Sequence, residues 1–534
     1  MKISGTRLLR IVPQLALALA GAAMAQAVPD SIDGQSKVQI IRSSHRDHDF
    51  VLRDAPGKAV DPNYRKGGKP KRRVPYVDSP DFDMDRAAQL GHINGGPMAT
   101  TVKGLGFDGL GQGFPGFTVQ AAPPDNTGAV GATQYVQWIN SSLAVFNKAT
   151  GAKVYGPVAG NTLFTGFGGA CESENDGDPV VLYDKIANRW VLMQFAVPGP
   201  NYYQCIAVSK TSDATGEYYR YAFQYDGFND YPKAGVWPDA YYVTYNMFGP
   251  SSFDGAKVCA MDRAAMLSGA DATQQCFQLS NRYGGLLPSD LDGSILPAAG
   301  TPNFMIALGT SSLNLWKFHV DWTTPGNSTL TGPSKISVTS FNAACGGGAC
   351  IPQGGTKKVL DSLADRAMYR LAYRKFGDGH EALVVNHAVK VGSNASSYSA
   401  TRWYEIRSPS TTPVVYQQST YAPDTTSRWM GSIAMDKQGN IALGYSASSA
   451  SVKPSIRYAT RLATDKINTL ANETVVIQGG GSQTGTYTRW GDYSHLSVDP
   501  VDDCTFWYTN EYLKKDGSWN WSTRINSFKI KNCR

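Results

Sequence analysis

Short segments in which polar and apolar residues alternate recur along most of the chain, and turn residues separate them. The clearest example is RWGDYSHLSVDPVDDCTFWYTNEY (489–512), in which HLSVD alternates, a proline and two aspartates follow, and TFWYT is β-branched and aromatic. This pattern predicts a strand, a tight turn and a second strand. Strands of the same kind end at Asp184, Arg374, Asp436 and Asp499.

The spacing of these strand ends indicates a structural repeat. The intervals from 374 to 436 and from 436 to 499 are 62 and 63 residues, and the interval from 184 to 374 is close to three such periods. A fixed period is typical of a repeat fold. We therefore predict an all-β protein in which residues 114–534 form a seven-bladed β-propeller of four-stranded antiparallel blades.

The last block of the repeat shows three clear strands. Its fourth strand is predicted from the N-terminal side of the domain, around GFTVQA (116–121), which would close the ring and cover the sheet edges. An array of β-sandwich domains is the alternative fold, but it predicts repeats of about 100 residues. Helical signals are scarce, and DRAAML (262–267) predicts one short turn.

Residues 1–25 have the features of a secretory signal peptide. Lys2, Arg7 and Arg10 precede an apolar stretch that is too short to span a bilayer, and the AMA sequence at 23–25 is an A-x-A cleavage site. A short membrane anchor is the alternative interpretation. We predict a secreted or periplasmic protein that uses a Sec-type signal and has no membrane span after the signal is removed.

Residues 26–113 differ in composition from the rest of the chain. RKGGKPKRR (65–73) is basic, DSPDFDMD (78–85) is acidic, and GLGFDGLGQGFPG is Gly-rich. We predict a basic, Gly-rich extension that largely lacks its own core and is dispensable for folding. Its basic run is interpreted as a solvated linker, a segment that binds an anionic surface, or a protease site.

The net charge argues against a nucleic-acid partner. The formal charge is +7, and removal of the three basic residues of the signal lowers it to +4. This is a small excess for a chain of 534 residues, whereas nucleic-acid-binding domains carry concentrated basic patches.

Eight cysteines follow the predicted signal. An even number in an exported chain predicts disulfides, and the absence of a CxxC motif argues against structural zinc. Antiparallel strands bring the ends of neighbouring segments together, so we expect each cysteine to pair with a sequence neighbour. The predicted pairs are Cys171–Cys205, Cys259–Cys276, Cys345–Cys350 and Cys504–Cys533, the first of them by elimination.

Several segments resemble signature sequences of a widespread group of exported bacterial β-propeller proteins. They are LLPSDLDG (286–293), LDSLADRAMYRLAYR (360–374), RWMGSIAMD (428–436) and the stretch 489–512. This resemblance implies fold and export rather than an activity. SKTSDATGEYYRYAF (209–223) distantly resembles the Asp-box turn of sialidases, but its spacing differs and no sialidase catalytic residue can be carried over.

The loops that lead into the innermost strands of a propeller converge around its central channel. In this chain those loops are rich in carboxylates, arginines and tryptophans, which suit a sugar site, because carboxylates can act on glycosidic bonds and arginine forks bind acidic sugars. The alternative is that these residues pair with one another or with turn backbones. The predicted ligand-binding residues are Asp178, Trp237, Asp239, Asp292, Asp365, Arg366, Arg428, Trp429, Arg489, Trp490 and Asp492.

The loop CESENDGDP (171–179) carries an acidic residue at every second position. This spacing resembles the first half of a calcium loop. Tyr183 stands where a closing bidentate carboxylate is expected, so a plain acidic loop is the alternative. The candidate calcium ligands are Glu172, Glu174, Asp176 and Asp178, and no other cofactor is predicted.

Two function classes fit these observations. The first is a module that binds an extracellular glycan or a cell-surface polymer. The second is an extracellular polysaccharide-acting enzyme, a glycoside hydrolase or a lyase, that uses the carboxylates and arginines of the rim. Binding is favoured because no catalytic motif in the sequence is complete.

Overall fold

The computed structural model describes residues 1, 37–58, 72–76, 78–79, 84–91, 99–393, 396–531 and 533–534. Apart from Met1, the predicted signal peptide lies outside the described residues, as does most of the basic run 65–73. The described part of the chain is all-β, as predicted. It contains no helix with the length and apolar character needed to cross a membrane.

Two short α-helices interrupt the strands. Helix α1 spans Gly169–Ser173 and helix α2 spans Arg263–Ser268. The second confirms the predicted turn, and its local chemistry explains its ends. Asp262 accepts a hydrogen bond from the backbone N–H of Ala265, and Gly269 ends the helix in the left-handed conformation.

Four strands lie in the N-terminal part of the described chain: β1 (Gln39–Arg42), β2 (His45–Val51), β3 (Ala88–Leu90) and β4 (Thr101–Asp108). The following strands form groups that are consecutive in sequence and antiparallel within each group. The first group is β5 (Asn126–Val130), β6 (Gln134–Ile139), β7 (Ser142–Asn147) and β8 (Lys153–Ala159). The second is β9 (Val180–Asp184), β10 (Arg189–Ala196), β11 (Tyr202–Ser209) and β12 (Glu217–Tyr225).

The third group is β13 (Phe228–Val236), β14 (Tyr241–Phe248), β15 (Phe253–Met261) and β16 (Thr273–Gln278). The fourth is β17 (Leu287–Asp292), β18 (Asn303–Gly309), β19 (Ser312–His319) and β20 (Thr329–Ser337). A separate hairpin follows, β21 (Ala349–Gln353) and β22 (Thr356–Asp361). The fifth group is β23 (Met368–Lys375), β24 (Glu381–Val391), β25 (Tyr398–Arg407) and β26 (Val414–Ala422).

The sixth group is β27 (Ser427–Met435), β28 (Ile441–Ser448), β29 (Ser455–Arg461) and β30 (Thr474–Ile477). The last is β31 (His495–Val498), β32 (Thr505–Leu513) and β33 (Trp521–Ile530). Strand β4 pairs antiparallel with β33 and supplies the fourth strand of this group. The prediction of an N-terminal fourth strand therefore holds, but its predicted position at 116–121 is wrong.

The N-terminal segment contributes strands to other groups as well. Strand β1 pairs with β16, β2 pairs with β12, and β3 lies parallel to β26. Leu52, just after β2, is fully buried in the core between the first and second groups. The predicted boundary at 113/114 therefore does not separate strand-forming chain from an independent extension. Added edge strands are held by backbone hydrogen bonds and need no continuous apolar pattern.

The first strands of the groups contact one another in a cyclic order. Strand β5 contacts β9, β9 contacts β13, β13 contacts β17, and β17 lies parallel to β23. Strand β23 contacts β27, β27 contacts β31, and β31 contacts β5 again. Apolar side chains fill the space between neighbouring groups, and Trp138 and Trp190, for example, share one such core.

All four predicted disulfides are present: Cys171–Cys205, Cys259–Cys276, Cys345–Cys350 and Cys504–Cys533. The pair on consecutive strands shows the reason most clearly. Cys259 on β15 lies opposite Cys276 on β16 in the strand register.

Candidate functional site

Four loops and one strand bring charged residues together where the first strands begin. We call this set the central cluster. Its members are Asp125 before β5, Asp178 before β9, Tyr231 and Lys233 on β13, Asp365 and Arg366 before β23, and Arg489, Asp492 and Tyr493 before β31. The charges of Asp178, Asp125, Asp492 and Arg366 all act on the Lys233 ammonium. The structure thus joins five of the predicted ligand residues: Asp178, Asp365, Arg366, Arg489 and Asp492.

Lys233 lies in the middle of this cluster. Its Nζ is 3.7 Å from the ring centroids of both Tyr231 and Tyr493, and it donates a 2.8 Å hydrogen bond to the Pro232 carbonyl. The residue is 1% exposed. Burial lowers the pKa of Lys233 to about 7, although nearby carboxylates oppose this shift.

A local irregularity in β13 accompanies the placement of Lys233. The register with β14 shifts between Asp230 and Lys233, as in a β-bulge. Tyr231 adopts a left-handed backbone with φ of 55°. Such bulges re-aim side chains and are frequent beside functional sites.

The same backbone strain appears in the loops of the cluster. Asp125, Asp178 and Asp492 have φ values of 50°, 46° and 62°. A left-handed conformation is costly for a residue with a side chain and persists where the surroundings enforce it, often at binding sites. The three aspartates of the cluster share this uncommon backbone conformation with turn residues elsewhere in the chain, such as Asn188 and Asp503.

Each arginine of the central cluster pairs with an aspartate close in sequence. Arg366 Nε is 2.9 Å from Asp365 Oδ1, and Arg489 forms an ion pair with Asp492. The Arg366 guanidinium also lies 4.5 Å from the centroid of the Tyr231 ring. These pairs neutralise much of the charge of the cluster and hold its side chains in place.

A described part of the N-terminal segment covers one side of the cluster. Arg366 Nη2 donates a 3.0 Å hydrogen bond to the carbonyl of Arg72, and the Val74 N–H lies 3.4 Å from Asp365 Oδ2. Val74 is itself buried. Main-chain groups of this segment therefore satisfy part of the hydrogen-bonding capacity of the Asp365–Arg366 pair.

Asp292, also predicted as a rim residue, lies at the other end of its strand. Strand β17 ends at Asp292, whereas the central cluster gathers at the beginnings of the first strands. There, Arg370 Nη2 is 2.6 Å from Asp292 Oδ1 and Arg370 Nε is 2.8 Å from Asp290 Oδ2. Asp292 is thus separated from the central cluster, because it lies where its strand ends and the cluster lies where the first strands begin.

The three predicted tryptophans are core residues. Trp237, Trp429 and Trp490 are all fully buried. The indole of Trp237 donates to the Thr301 carbonyl at 3.0 Å, and that of Trp490 donates to Ser446 Oγ at 3.0 Å. The prediction that these three residues bind a ligand is therefore wrong, since packing between strands covers their rings.

Arg428 and Asp239 are also engaged by their own neighbours. Arg428 is fully buried and pairs with Glu473 and Asp424 at 2.9 and 3.0 Å. Asp239 follows β13 at its far end and accepts a 3.2 Å hydrogen bond from the Tyr242 hydroxyl. Burial raises the pKa of Asp239 to about 6. Neither residue belongs to the central cluster.

The predicted calcium ligands do not converge. Glu172 accepts hydrogen bonds from the N–H groups of Gly166 and Gly168, and Asp176 accepts one from Val197. The charge of Asp178 acts instead on the Lys233 ammonium. Across the described residues, no group of three or more metal-ligating side chains could hold an ion. The four candidate ligands are therefore not gathered at one point in this structure.

Three residues of the central cluster are absent from the predicted site: Tyr231, Lys233 and Tyr493. The signal for the first two is the segment DYPKAGV, in which a lysine stands two positions after a tyrosine and directly before the apolar end of a strand. Tyr493 follows the predicted Asp492 directly. A charged residue inside a buried strand needs partners, so it indicates a site even without a motif.

No protein family and no curated protein matches this sequence. Among solved structures, the polysaccharide lyase Uly1 aligns with 93% of this chain and all of its own, at 10% identity and a TM-score of 0.36. The α-L-arabinofuranosidase Arb93A of Fusarium graminearum aligns over 80% of this chain and 99% of its own, at 8% identity and a TM-score of 0.35. The WD40 domain of SCAP from fission yeast aligns over 74% and 81%, at 8% identity and a TM-score of 0.32. These similarities are distant and support no inference about function.

Proposed function

We propose that the chain is an exported, seven-bladed β-propeller that binds an extracellular glycan or cell-surface polymer at the central cluster. Three observations support this architecture. The first strands contact one another in a cycle, an N-terminal strand completes the last group, and four disulfides tie neighbouring segments. The resemblance of 489–512 to exported bacterial propellers agrees with it.

The observation that carries the binding proposal is the convergence of residues far apart in sequence on Lys233. Asp125 and Asp492 are separated by most of the chain, yet both act on the same ammonium. Carboxylates accept hydrogen bonds from sugar hydroxyls and arginines bind the carboxylates of acidic sugars. Arg489 and Asp492 are the most exposed members of the cluster, at 9% and 8%, and are the groups that a sugar can reach. Binding is favoured over catalysis because no catalytic motif in the sequence is complete.

One observation favours an enzyme as the second candidate. A lysine with a pKa of about 7 between two tyrosine rings can exchange a proton near neutral pH. A base of this kind suits a polysaccharide lyase, which removes a proton beside a uronate carboxylate. In this case neutral Lys233 takes the proton and Arg366 neutralises the carboxylate. The glycosidic C–O bond on the neighbouring carbon breaks, a carbon–carbon double bond forms, and the departing oxygen takes a proton from water.

A glycan-array and polysaccharide-degradation screen of the mature protein identifies the ligand. The variants Arg489→Ala and Asp492→Ala then test the site, with Arg263→Ala as the matched control, because Arg263 forms a comparable pair with Asp184 outside the cluster. We expect Arg489→Ala to weaken the binding of an acidic glycan by about 2–5 kcal/mol. The control variant should bind the glycan as tightly as the parent protein does. Unchanged affinity and turnover in both folded cluster variants would contradict the proposal.

Lys233→Met separates the two candidates. If the protein is a binding module, the variant loses affinity and the parent protein shows no turnover. An enzyme retains measurable glycan binding but loses turnover, since the proton acceptor is gone.

A further inference from the structure

A cavity lies where the first strands end, away from the central cluster at their beginnings. Its volume is about 410 Å³, and its wall includes Lys185, Leu296, Lys437, Pro500 and Val501. This volume lies within the range of small-molecule sites, about 300–1,000 Å³. We call it the distal cavity.

A small inner cavity adjoins the distal cavity. The two share Lys185, Val498 and Pro500 in their walls, and the inner one also touches Asp292 and Ser497. Its volume of about 30 Å³ exceeds the ~10–15 Å³ that one water molecule or hydroxyl group needs. The inner cavity is therefore large enough for a single polar group beside the larger cavity.

Polar groups around the inner cavity have unused hydrogen-bonding capacity. Asp292 Oδ2 and Ser497 Oγ are buried and have no hydrogen-bond partner among the described residues. The Lys185 ammonium has Asp292 Oδ1 as its ion-pair partner in the described chain, at 3.9 Å, beyond hydrogen-bond distance. Buried polar groups without partners are costly, so a ligand that satisfies them gains affinity.

The charge state of these groups suits a hydroxyl group. Burial opposes ionisation of Asp292, yet Arg370, Lys185 and Arg374 hold its pKa below the usual range, so its carboxylate accepts hydrogen bonds. Burial also lowers the pKa of Lys185 to about 8. A hydroxyl both donates and accepts, and it can donate to Asp292 Oδ2 while accepting from Lys185 or Ser497.

The outer wall adds a preference for negative charge. Asp503 is already paired with Arg374 at 2.7 Å, and Asp502 accepts hydrogen bonds from Thr505. Lys437, by contrast, forms no ion pair within the described residues and lies exposed at the cavity. Apolar surface from Leu296, Pro500 and Val501 can pack against a ring.

We propose that the distal cavity binds a sugar acid, a hydroxylated carboxylate of monosaccharide size, with one hydroxyl seated between Lys185 and Asp292. This site is separate from the central cluster and does not depend on the function proposed for it. The carboxylate of the ligand lies toward Lys437.

Calorimetric titration of the full-length mature protein tests this proposal with three probes: D-glucuronate, D-glucose and acetate. Glucuronate carries both the hydroxyls and the charge, so we expect it to bind more tightly than glucose, which lacks the charge, and acetate, which lacks the hydroxyls. Lys185→Met should lower the affinity for glucuronate at least tenfold. Lys437→Met should reduce the difference in affinity between glucuronate and glucose.

Two controls locate the effect. Lys257 is also buried but lies on β15 and bonds to Gln39 at 3.0 Å, so Lys257→Met should leave binding unchanged. Arg489→Ala should leave it unchanged too, because Arg489 belongs to the central cluster. Loss of glucuronate binding in Arg489→Ala alone would place the sugar at the other end and overturn the proposal, as would the absence of binding at millimolar glucuronate.

Amine labelling of the unmodified protein gives a second test that does not depend on the folding of a variant. Glucuronate should protect Lys185 from acetylation severalfold and leave Lys257 unprotected, as measured by peptide mass spectrometry. Equal labelling of Lys185 with and without saturating glucuronate would overturn the proposal.

Discussion

The ion pair between Asp85 and Arg402 tests whether the N-terminal segment is part of the fold. Asp85 lies just before β3, and its carboxylate pairs with the Arg402 guanidinium on β25. The same carboxylate accepts hydrogen bonds from Thr420 Oγ1 at 2.7 Å and from the Ala87 N–H at 2.9 Å. We predict that Asp85→Ala destabilises the whole protein.

The expected magnitude follows from the burial of the pair. The side chains of Arg402 and Asp85 are 0% and 1% exposed. Removing one partner leaves a buried charge without compensation, which costs about 3–5 kcal/mol. Arg53→Ala is the control in the same segment, because its pair with Asp213 is 53% and 38% exposed and should contribute at most about 1 kcal/mol.

Urea unfolding followed by tryptophan fluorescence measures these changes. A double-mutant cycle with Arg402→Met isolates the interaction, since the double variant has no unpaired charge and should recover much of the lost stability. If the free energy of unfolding of Asp85→Ala lies within about 0.5 kcal/mol of the parent value, as for surface substitutions, the prediction is refuted and residues 84–91 are peripheral to the fold. The same conclusion holds if Arg402→Met recovers nothing.

Two further predictions concern stability. Burial lowers the pKa of Lys233 in the folded protein to about 7, from an ordinary value of 10.5. Between these pH values the unfolded chain binds more protons than the folded one, so the free energy of unfolding should rise with pH. The rise is at most about 1.4 kcal/mol per pH unit. Lys233→Met should flatten this rise in denaturation measured from pH 7 to 10, and parallel profiles would contradict the assignment. The Cys504–Cys533 disulfide spans 29 residues, so replacing both cysteines by alanine should cost about 3–4 kcal/mol in urea unfolding, and an unchanged midpoint would refute this.

Much of the architecture is determined locally and can be predicted from the sequence. Alternating residues, turn residues and aromatic strands identify groups of short antiparallel strands, because each signal acts over a few residues. The disulfide pairs follow from the same local order, as for Cys259 and Cys276 on adjacent strands. The convergence of Asp178, Asp365 and Asp492 was predicted because each of these residues precedes the first strand of a group.

Only the tertiary structure decided the remaining features, because they depend on contacts between distant segments. Strand β4 joins β33 through backbone hydrogen bonds, which leave little trace in side-chain pattern. Burial of Trp429 and Trp490 depends on packing between neighbouring sheets and not on the residues beside them in sequence. Asp292 lies away from the central cluster because it is the last residue of β17, and the position of a strand's ends is not visible in the type of residue found there. The lowered pKa of Lys233 likewise arises from desolvation by the surrounding fold, which no local segment contains.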